Sequence, residues 1–164
     1  MPPSPDIQIR HAGPQDAEAI ADVLYESFLE YQVLYTREGF EATTPHADQI
    51  LARLREGPVW VAVRDETVLG SVAAVVKGPS VYMRGMAVLP AARGLRVGAR
   101  LLRCVEDWAC SQGFRRVFLS TTPFLKAAIS LYESAGFRRT DEGPRDLFGT
   151  PLCTMEKNLS GKTS

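Results

Sequence analysis

The hexapeptide Arg93-Gly94-Leu95-Arg96-Val97-Gly98 sets two glycines and two arginines just before an amphipathic run. A strand ending at Leu89, a turn spelled PAARGLRVG and a helix beginning near Val97 would leave unpaired backbone N–H groups at a helix N-terminus. Those donors, with the positive end of the helix dipole, favour a phosphate or pyrophosphate. Gly94 and Gly98 permit close backbone approach, and Arg93, Arg96 and Arg100 add positive charge nearby. Glycines also end strands, and arginines also sit on solvated helix faces, so both readings stay open on the turn alone. The Walker pattern needs a lysine and a Ser/Thr after its last glycine; Ala99 and Arg100 stand there, which disfavours an NTPase. No G-x-G-x-x-G is present, which weakens a dinucleotide fold.

Such a turn works only if a strand and a helix hold it. SVYMRGMAVL supplies the strand, stopped by Pro90. On the following helix Gly98, Leu101, Leu102, Val105, Trp108, Ala109 and Gln112 share one face, Arg100, Arg103, Asp107 and Ser111 lie opposite, and Gly113 suits the C-terminal cap. Upstream, IQIRH alternates like a first strand. Pro14 then opens a helix carrying Ala17, Ile20, Ala21, Leu24, Phe28 and Tyr31. LYTREGFEATTPHADQ has no clean period and predicts a loop, followed by a short helix over residues 47–55. Two β-branched runs around Asp65 and Glu66 predict an antiparallel hairpin. RRVFLST predicts a strand, and PFLKAAISLYESAG a helix through Leu125, Ala128, Ile129 and Tyr132. Strands over FRRTD and TPLCTMEKN follow. This order predicts an α+β fold with helices packed on a mostly antiparallel sheet.

The 164 residues suit one domain able to bury a core, and 45% hydrophobic against 23% charged residues indicates a globular chain. Nineteen basic residues balance nineteen acidic ones, which removes any global case for nucleic acid or an anionic membrane. Neither a leader-like segment nor a membrane-length apolar run is visible, so a soluble cytoplasmic protein is the expectation. Cys104, Cys110 and Cys153 form no C-x-x-C pair and are expected as buried free thiols. His11 and His46 lie near no cysteine, so no metal is expected. Residues 1–6 and 159–164 are expected to be flexible ends.

The two blocks VYMRGMAVLPAARGLRVGARLL and RRVFLSTTPFLKAAISLYESAGFRR resemble the GNAT superfamily of acyl-CoA-dependent N-acetyltransferases. The resemblance spans residues 7–158, with its specific part in residues 81–139. The family's pyrophosphate loop follows Q/R-x-x-G-x-G/A, which residues 93–98 fill, and AISLYESAGF is similar to its A-x-x-L-Y-E-x-x-G-F segment. Two positions depart. Arg96 stands where the family usually has glycine, and Leu125 where many members carry an asparagine that bonds pantetheine. That second change removes one hydrogen bond, worth about 1 kcal/mol.

The resemblance implies a single domain with a mixed, mostly antiparallel, twisted sheet of about seven strands and helices on both faces. It implies acetyl-CoA as cosubstrate, with pantetheine bonded along the splayed strand at Met86, Ala87 and Val88. Diphosphate would meet the loop from Arg93 through Gly94, Leu95, Arg96, Val97 and Gly98 to Ala99, with Leu125 and Ala128 also against the cofactor. The N–H near Met86 would polarise the thioester carbonyl as an amine attacks directly in a ternary complex. Tyr132 matches the family tyrosine beside the departing sulfur. With a tyrosine pKa of ~10 and a thiol near ~8.5, full proton transfer is uphill by about 2 kcal/mol, so hydrogen-bond donation is the minimum role.

Glu26, Glu30, Tyr31 and Tyr82 are candidates for base or water-holding roles, though most of them read better as solvated or core residues. Arg84, two residues before Met86, reads as a clamp for an acidic acceptor or as a surface arginine. The segment from Tyr31 to Pro45, with Tyr35 and Phe40, would form a variable acceptor lid. A small-molecule primary amine or amino acid is the first choice of acceptor. At pH 7 an α-amine of pKa ~8 is about 10% neutral, whereas a lysine is about 0.04% neutral. A non-catalytic acyl-CoA sensor and a protein or peptide acetyltransferase are the alternatives, and nucleic-acid binding ranks last. Homodimerisation through the last strands rests on family analogy alone.

Overall fold

The structure is a computed structural model and describes residues 6–159. Its main sheet has seven strands in the order β1-β2-β3-β4-β5-β9-β6, from β1 (Gln8–His11), β2 (Val59–Arg64), β3 (Thr67–Lys77), β4 (Ser80–Val88), β5 (Arg116–Thr121), β6 (Arg138–Thr140) and β9 (Cys153–Asn158). Every pairing is antiparallel except β4 with β5. A separate two-stranded hairpin pairs β7 (Asp146–Leu147) with β8 (Thr150–Pro151). The helices are α1 (Ala17–Phe28), α2 (Arg37–Thr43), α3 (Ala47–Glu56), α4 (Val97–Ser111) and α5 (Lys126–Ser134). The predicted α+β class and the mostly antiparallel seven-stranded sheet are both present.

Strand alternation divides the core in two. On β2, Trp60 and Ala62 pack with Leu101, Leu102 and Val105 of α4 and Ile129 of α5. Val59 and Val61 face the other way, against Ile20, Val23 and Leu24 of α1 and Ile50 of α3. Val61, Leu101 and Val105 have no exposed surface. Burying a side chain of this size contributes about 1.5–3 kcal/mol, so the two faces together fix the sheet between its helix layers. The β2–β3 turn is the two-residue hairpin predicted at Asp65 and Glu66, both at positive φ (52° and 64°), which matches the twist of the flanking strands.

Two features of β4 build the site. Ser71 pairs with Ala87 and Ala73 with Arg84, so Gly85 and Met86 together oppose Val72 of β3. That is a bulge, and Gly85 takes it at φ 65°. On its other edge β4 pairs with β5 only at Val81–Val117 and Tyr82–Phe118. Beyond Tyr82 the two strands part, and the β5-facing edge of β4 carries no ladder partner.

Several expectations need correction. LYTREGFEATTP is not a loop: a 3-10 segment Leu29–Leu34 leads into α2, whose cap is the Thr36 hydroxyl accepting the Gly39 N–H at 3.0 Å. Because α1 stops at Phe28, Tyr31 belongs to the 3-10 segment and not to the α1 stripe. The last strand is broken at Leu152, whose N–H donates to the Arg145 carbonyl at 2.8 Å, while Pro151 has no N–H to donate. The cysteines are free, but Cys110 is exposed and Cys104 and Cys153 are half-buried. Leu159, assigned to the flexible C-terminal end, is 7% exposed and its N–H donates to the Arg115 carbonyl at 2.7 Å, so the packed domain includes it. Residues 1–5 and 160–164 of the expected flexible ends lie outside the described residues. No helix among the described residues is long and apolar enough to cross a membrane.

Candidate active site

Where β4 and β5 part, two clefts open, of about 410 Å³ and about 450 Å³. They share the walls Phe28, Met86, Leu125 and Ala128, so they meet at the β4 bulge.

The first cleft runs from the bulge along Met86, Ala87 and Val88 to the start of α4. Its far end is the expected turn, where Arg93, Gly94 and Arg96 and then Val97, Gly98 and Ala99 form the wall. The first intrahelical bond runs from the Arg100 N–H to the Arg96 carbonyl at 3.1 Å, which leaves the N–H groups of Val97, Gly98 and Ala99 without intrahelical acceptors. Gly98 keeps the start of α4 close to α5: a Cβ there would stand 3.0 Å from Leu131 Cδ2 and that methyl would have to shift. Arg96 holds a left-handed conformation (φ 62°, ψ 23°) at the helix N-cap, and its side chain is exposed. The buried Ser27 hydroxyl, also in this wall, has no hydrogen-bond partner.

The basic residues of the turn do not all serve the cleft. Arg93 pairs with Glu30 at 2.6 Å and donates to the Ser27 carbonyl at 3.3 Å, tying the turn to the end of α1. Arg100 points to the start of β1, donating to the Ile7 carbonyl at 2.9 Å, and lies outside the cleft wall. Leu95 is exposed and is not part of the wall either.

The second cleft holds Tyr132, Tyr82 and Arg84. Tyr132 is 5% exposed, against Phe137 at 5.9 Å, and its burial pushes the phenol pKa well above the usual value. Burial likewise raises the Tyr35 pKa, with Thr122 and Thr43 nearby acting against the rise, and its ring meets Phe124 edge-on at 5.0 Å. Tyr82 leans on Phe118 at 5.1 Å. The roof is α2 with the β7–β8 hairpin, which contributes Asp146 and Leu147.

Of the residues expected around the acceptor, Glu26 is exposed on α1 and Glu30 is taken by Arg93; neither lines the second cleft. Tyr31 lines the first cleft instead. Of the lid aromatics, Tyr35 lines the second cleft while Phe40 packs behind it at 5.8 Å. Sequence reasoning missed Arg53 of α3 and Asp146 of the hairpin, both in the wall. Helical spacing gives the face of Arg53 but not the bulge it meets, and nothing in the sequence marks Asp146.

Comparison with known proteins agrees with this geometry. The family model "Acetyltransferase (GNAT) family" matches residues 20–137. An uncharacterized N-acetyltransferase, YjgM of Escherichia coli, is 34% identical over 134 residues, covering 77% of this chain and 79% of that protein. The chain spans 38% to 66% of the length of three further curated relatives. PaiA N-acetyltransferase from Thermoplasma acidophilum, solved in complex with coenzyme A, superposes with TM-score 0.80 at 21% identity, over 94% of this chain and 99% of that one. YncA from Salmonella typhimurium, a putative acetyltransferase solved with its cofactor acetyl-CoA, gives TM-score 0.72 at 26% identity, over 96% of each chain. A parted sheet edge, a bulge and an amide-rich helix start, together with a family match that runs from α1 through α5, make this chain a member of the GNAT acetyltransferase family and an N-acetyltransferase.

Proposed function

We propose that this N-acetyltransferase uses acetyl-CoA to acetylate the primary amine of a small metabolite or amino acid, by direct attack in a ternary complex. The observation that carries the proposal is the junction of the two clefts at Met86, Leu125 and Ala128. One cleft ends in unpaired amides suited to a diphosphate, and the other is roofed and holds a buried tyrosine.

The first cleft fits coenzyme A on the residues present. The Val97, Gly98 and Ala99 amides and the Arg96 charge would hold the diphosphate, the free edge of β4 would bond pantetheine, and the orphaned Ser27 hydroxyl would gain a partner. When bound, acetyl-CoA supplies an activated thioester. The chain's own part is to polarise the carbonyl and to hydrogen-bond the departing sulfur. The Met86 N–H, in the bulge, is the candidate donor to the carbonyl oxygen. Tyr132 stays a neutral phenol at working pH, so it can donate a hydrogen bond to the departing sulfur while full proton transfer stays uphill.

A cleft of about 450 Å³ closed above by α2 and the hairpin suits a small acceptor better than a folded protein. The test is calorimetric titration with acetyl-CoA against ATP and NAD, followed by thiol release across amines and peptides. Selective acetyl-CoA binding with turnover of free amines supports the proposal. Binding without turnover favours a sensor, turnover of peptides alone favours a protein acetyltransferase, and binding of ATP or NAD in place of acetyl-CoA sinks the cofactor assignment.

A further inference from the structure

Two guanidinium groups stand on one wall of the second cleft. Arg84 lies on β4, two residues before Met86, and Arg53 lies on the facing side of α3. Arg84 is paired with Glu56 through Nη2, yet its Nε is buried without a partner. Arg53 is half-buried and, among the described residues, no carboxylate lies within ion-pair distance of it. Its Nη1 rests against the bulge, 2.9 Å from where a Cβ on Gly85 would stand. Burial and the nearby Arg84 charge both pull the Arg53 pKa down, so the two cations disfavour each other as they stand. Glu56 offsets one of the two charges and leaves one positive charge on this wall. Asp146, the acidic residue elsewhere in the cleft wall, is exposed and accepts the Gly149 N–H at 2.8 Å.

We infer that the acceptor is an amino carboxylate, whose carboxylate is held by Arg53 and Arg84 while its amine lies at Met86. This rests on the acetyl-transfer function proposed above. A carboxylate here takes up the unpartnered Arg84 Nε and neutralises the charge that Glu56 leaves over. Arg53, Arg84 and Met86 line the same cleft, with Arg84 two residues before Met86 on β4, an arrangement that suits a short acceptor such as an α-amino acid. A neutral amine of the same shape would leave Arg53 without a counter-charge and the Arg84 Nε without an acceptor, both desolvated further.

The experiment uses L-alanine, L-phenylalanine and L-aspartate with their α-amides, on wild-type protein and the R53Q, R53K and R84Q variants. Acetyl-CoA titration and thermal unfolding first establish that each variant is folded with its first cleft intact. The expected result is kcat/KM at least about 10-fold higher for the acids than for the amides, although the amides are less basic and so more nearly deprotonated at pH 7. R53Q and R84Q each lower kcat/KM for the acids by about 10-fold or more and for the amides by under about 3-fold, with partial rescue in R53K. Equal turnover of amides and acids by wild type, or equal losses on both series in the variants, overturns the inference. If neither series is acetylated, calorimetric binding to the protein saturated with coenzyme A decides. Acid binding that R53Q and R84Q abolish upholds the carboxylate site and sinks only the transfer function, whereas absence of binding by all three acids overturns the site.

Discussion

Thr36 and Thr150, at the cap of α2 and in the β7–β8 hairpin, bond to each other twice. The Thr36 N–H donates to Thr150 Oγ1 at 2.9 Å, and the two hydroxyls are 3.1 Å apart. Since the Thr36 hydroxyl donates its one hydrogen to the Phe148 carbonyl at 2.8 Å, Thr150 is the donor in that second bond. The pair clasps the roof of the acceptor cleft. Thr150→Val removes both bonds and strands a Thr36 N–H, which costs about 1–3 kcal/mol. The expected outcome is acceptor KM raised about 10-fold with acetyl-CoA affinity unchanged, read from steady-state kinetics and calorimetry on the same preparation. A parallel rise in the acetyl-CoA dissociation constant would show that the clasp does not act on the roof alone.

Tyr132→Phe keeps the ring packed against Phe137 and removes only the hydroxyl. We expect normal acetyl-CoA binding and kcat lower by about 10²-fold. The pH profile gives a second readout. An amine must lose its proton to attack, so with an amino-acid α-amide as acceptor kcat/KM should rise with pH up to the amine pKa, ~8, and then level off. Because burial raises the Tyr132 pKa, the phenol keeps its proton beyond the ordinary ~10, and the plateau should persist to that pH. A basic limb below pH 10 that disappears in Tyr132→Phe would mean that the phenol titrates normally.

Arg96 carries a conformational cost for its charge. A left-handed non-glycine residue costs about 1–2 kcal/mol, while a glycine in its place adds back about 0.5–1 kcal/mol of chain entropy. The balance favours Arg96→Gly for stability by about 0.5 kcal/mol, a rise in melting temperature of about 1–2 °C. Acetyl-CoA affinity should fall about 3-fold or more and depend less on salt. Arg96→Ala separates the two effects, since it removes the charge and keeps the strained backbone: the affinity loss should recur without the gain in stability.

Asp16 anchors the entry to α1. Its carboxylate accepts from Arg10 at 2.8 and 2.9 Å and from the Gly13 N–H at 2.8 Å, and the Arg10 bond holds its pKa below the usual range. The lowered pKa means that this contribution is complete above the unfolded value of ~3.9 and is lost as pH falls through the folded value. Asp16→Asn should cost about 1–2 kcal/mol at pH 7, allowing for the solvent around Arg10. Urea unfolding at pH 7 and at pH 3 checks it: the gap between wild type and variant should narrow at the lower pH.

The sequence makes legible whatever a single element decides by itself. The α4 stripe, the Asp65–Glu66 turn and the strand that Pro90 ends all follow from local spacing, and the glycine-bearing turn stands at one end of the first cleft. What escaped depends on partners distant in the chain. α2 has seven residues, too few for a period; its Gly39 packs against the hairpin more than a hundred residues later, and its buried Phe40 packs between Tyr25 and Tyr35. Arg53 gains meaning from a bulge on another strand, and that bulge exists because Gly85 and Met86 share one partner in β3. Glu30 looked free to assist chemistry, yet a rival, Arg93, claims it at 2.6 Å.

The one parallel pairing in the sheet also bears on how the molecule is made. β4 ends at Val88 and β5 begins at Arg116, so on the ribosome β4 is an outer strand, with its hydrogen-bonding edge bare, until about 28 more residues have been added. At ~5–20 residues per second that exposure lasts seconds, long enough for a bare edge to recruit another nascent chain. Completion of the fold covers only the Val81–Tyr82 portion. The remainder has no ladder partner in the finished sheet, the bulge at Gly85 interrupts its regular spacing, and under the proposed function the pantetheine arm would cover it. If the protein binds acetyl-CoA as proposed, the cofactor would cover a strand edge as well as supply the acetyl group.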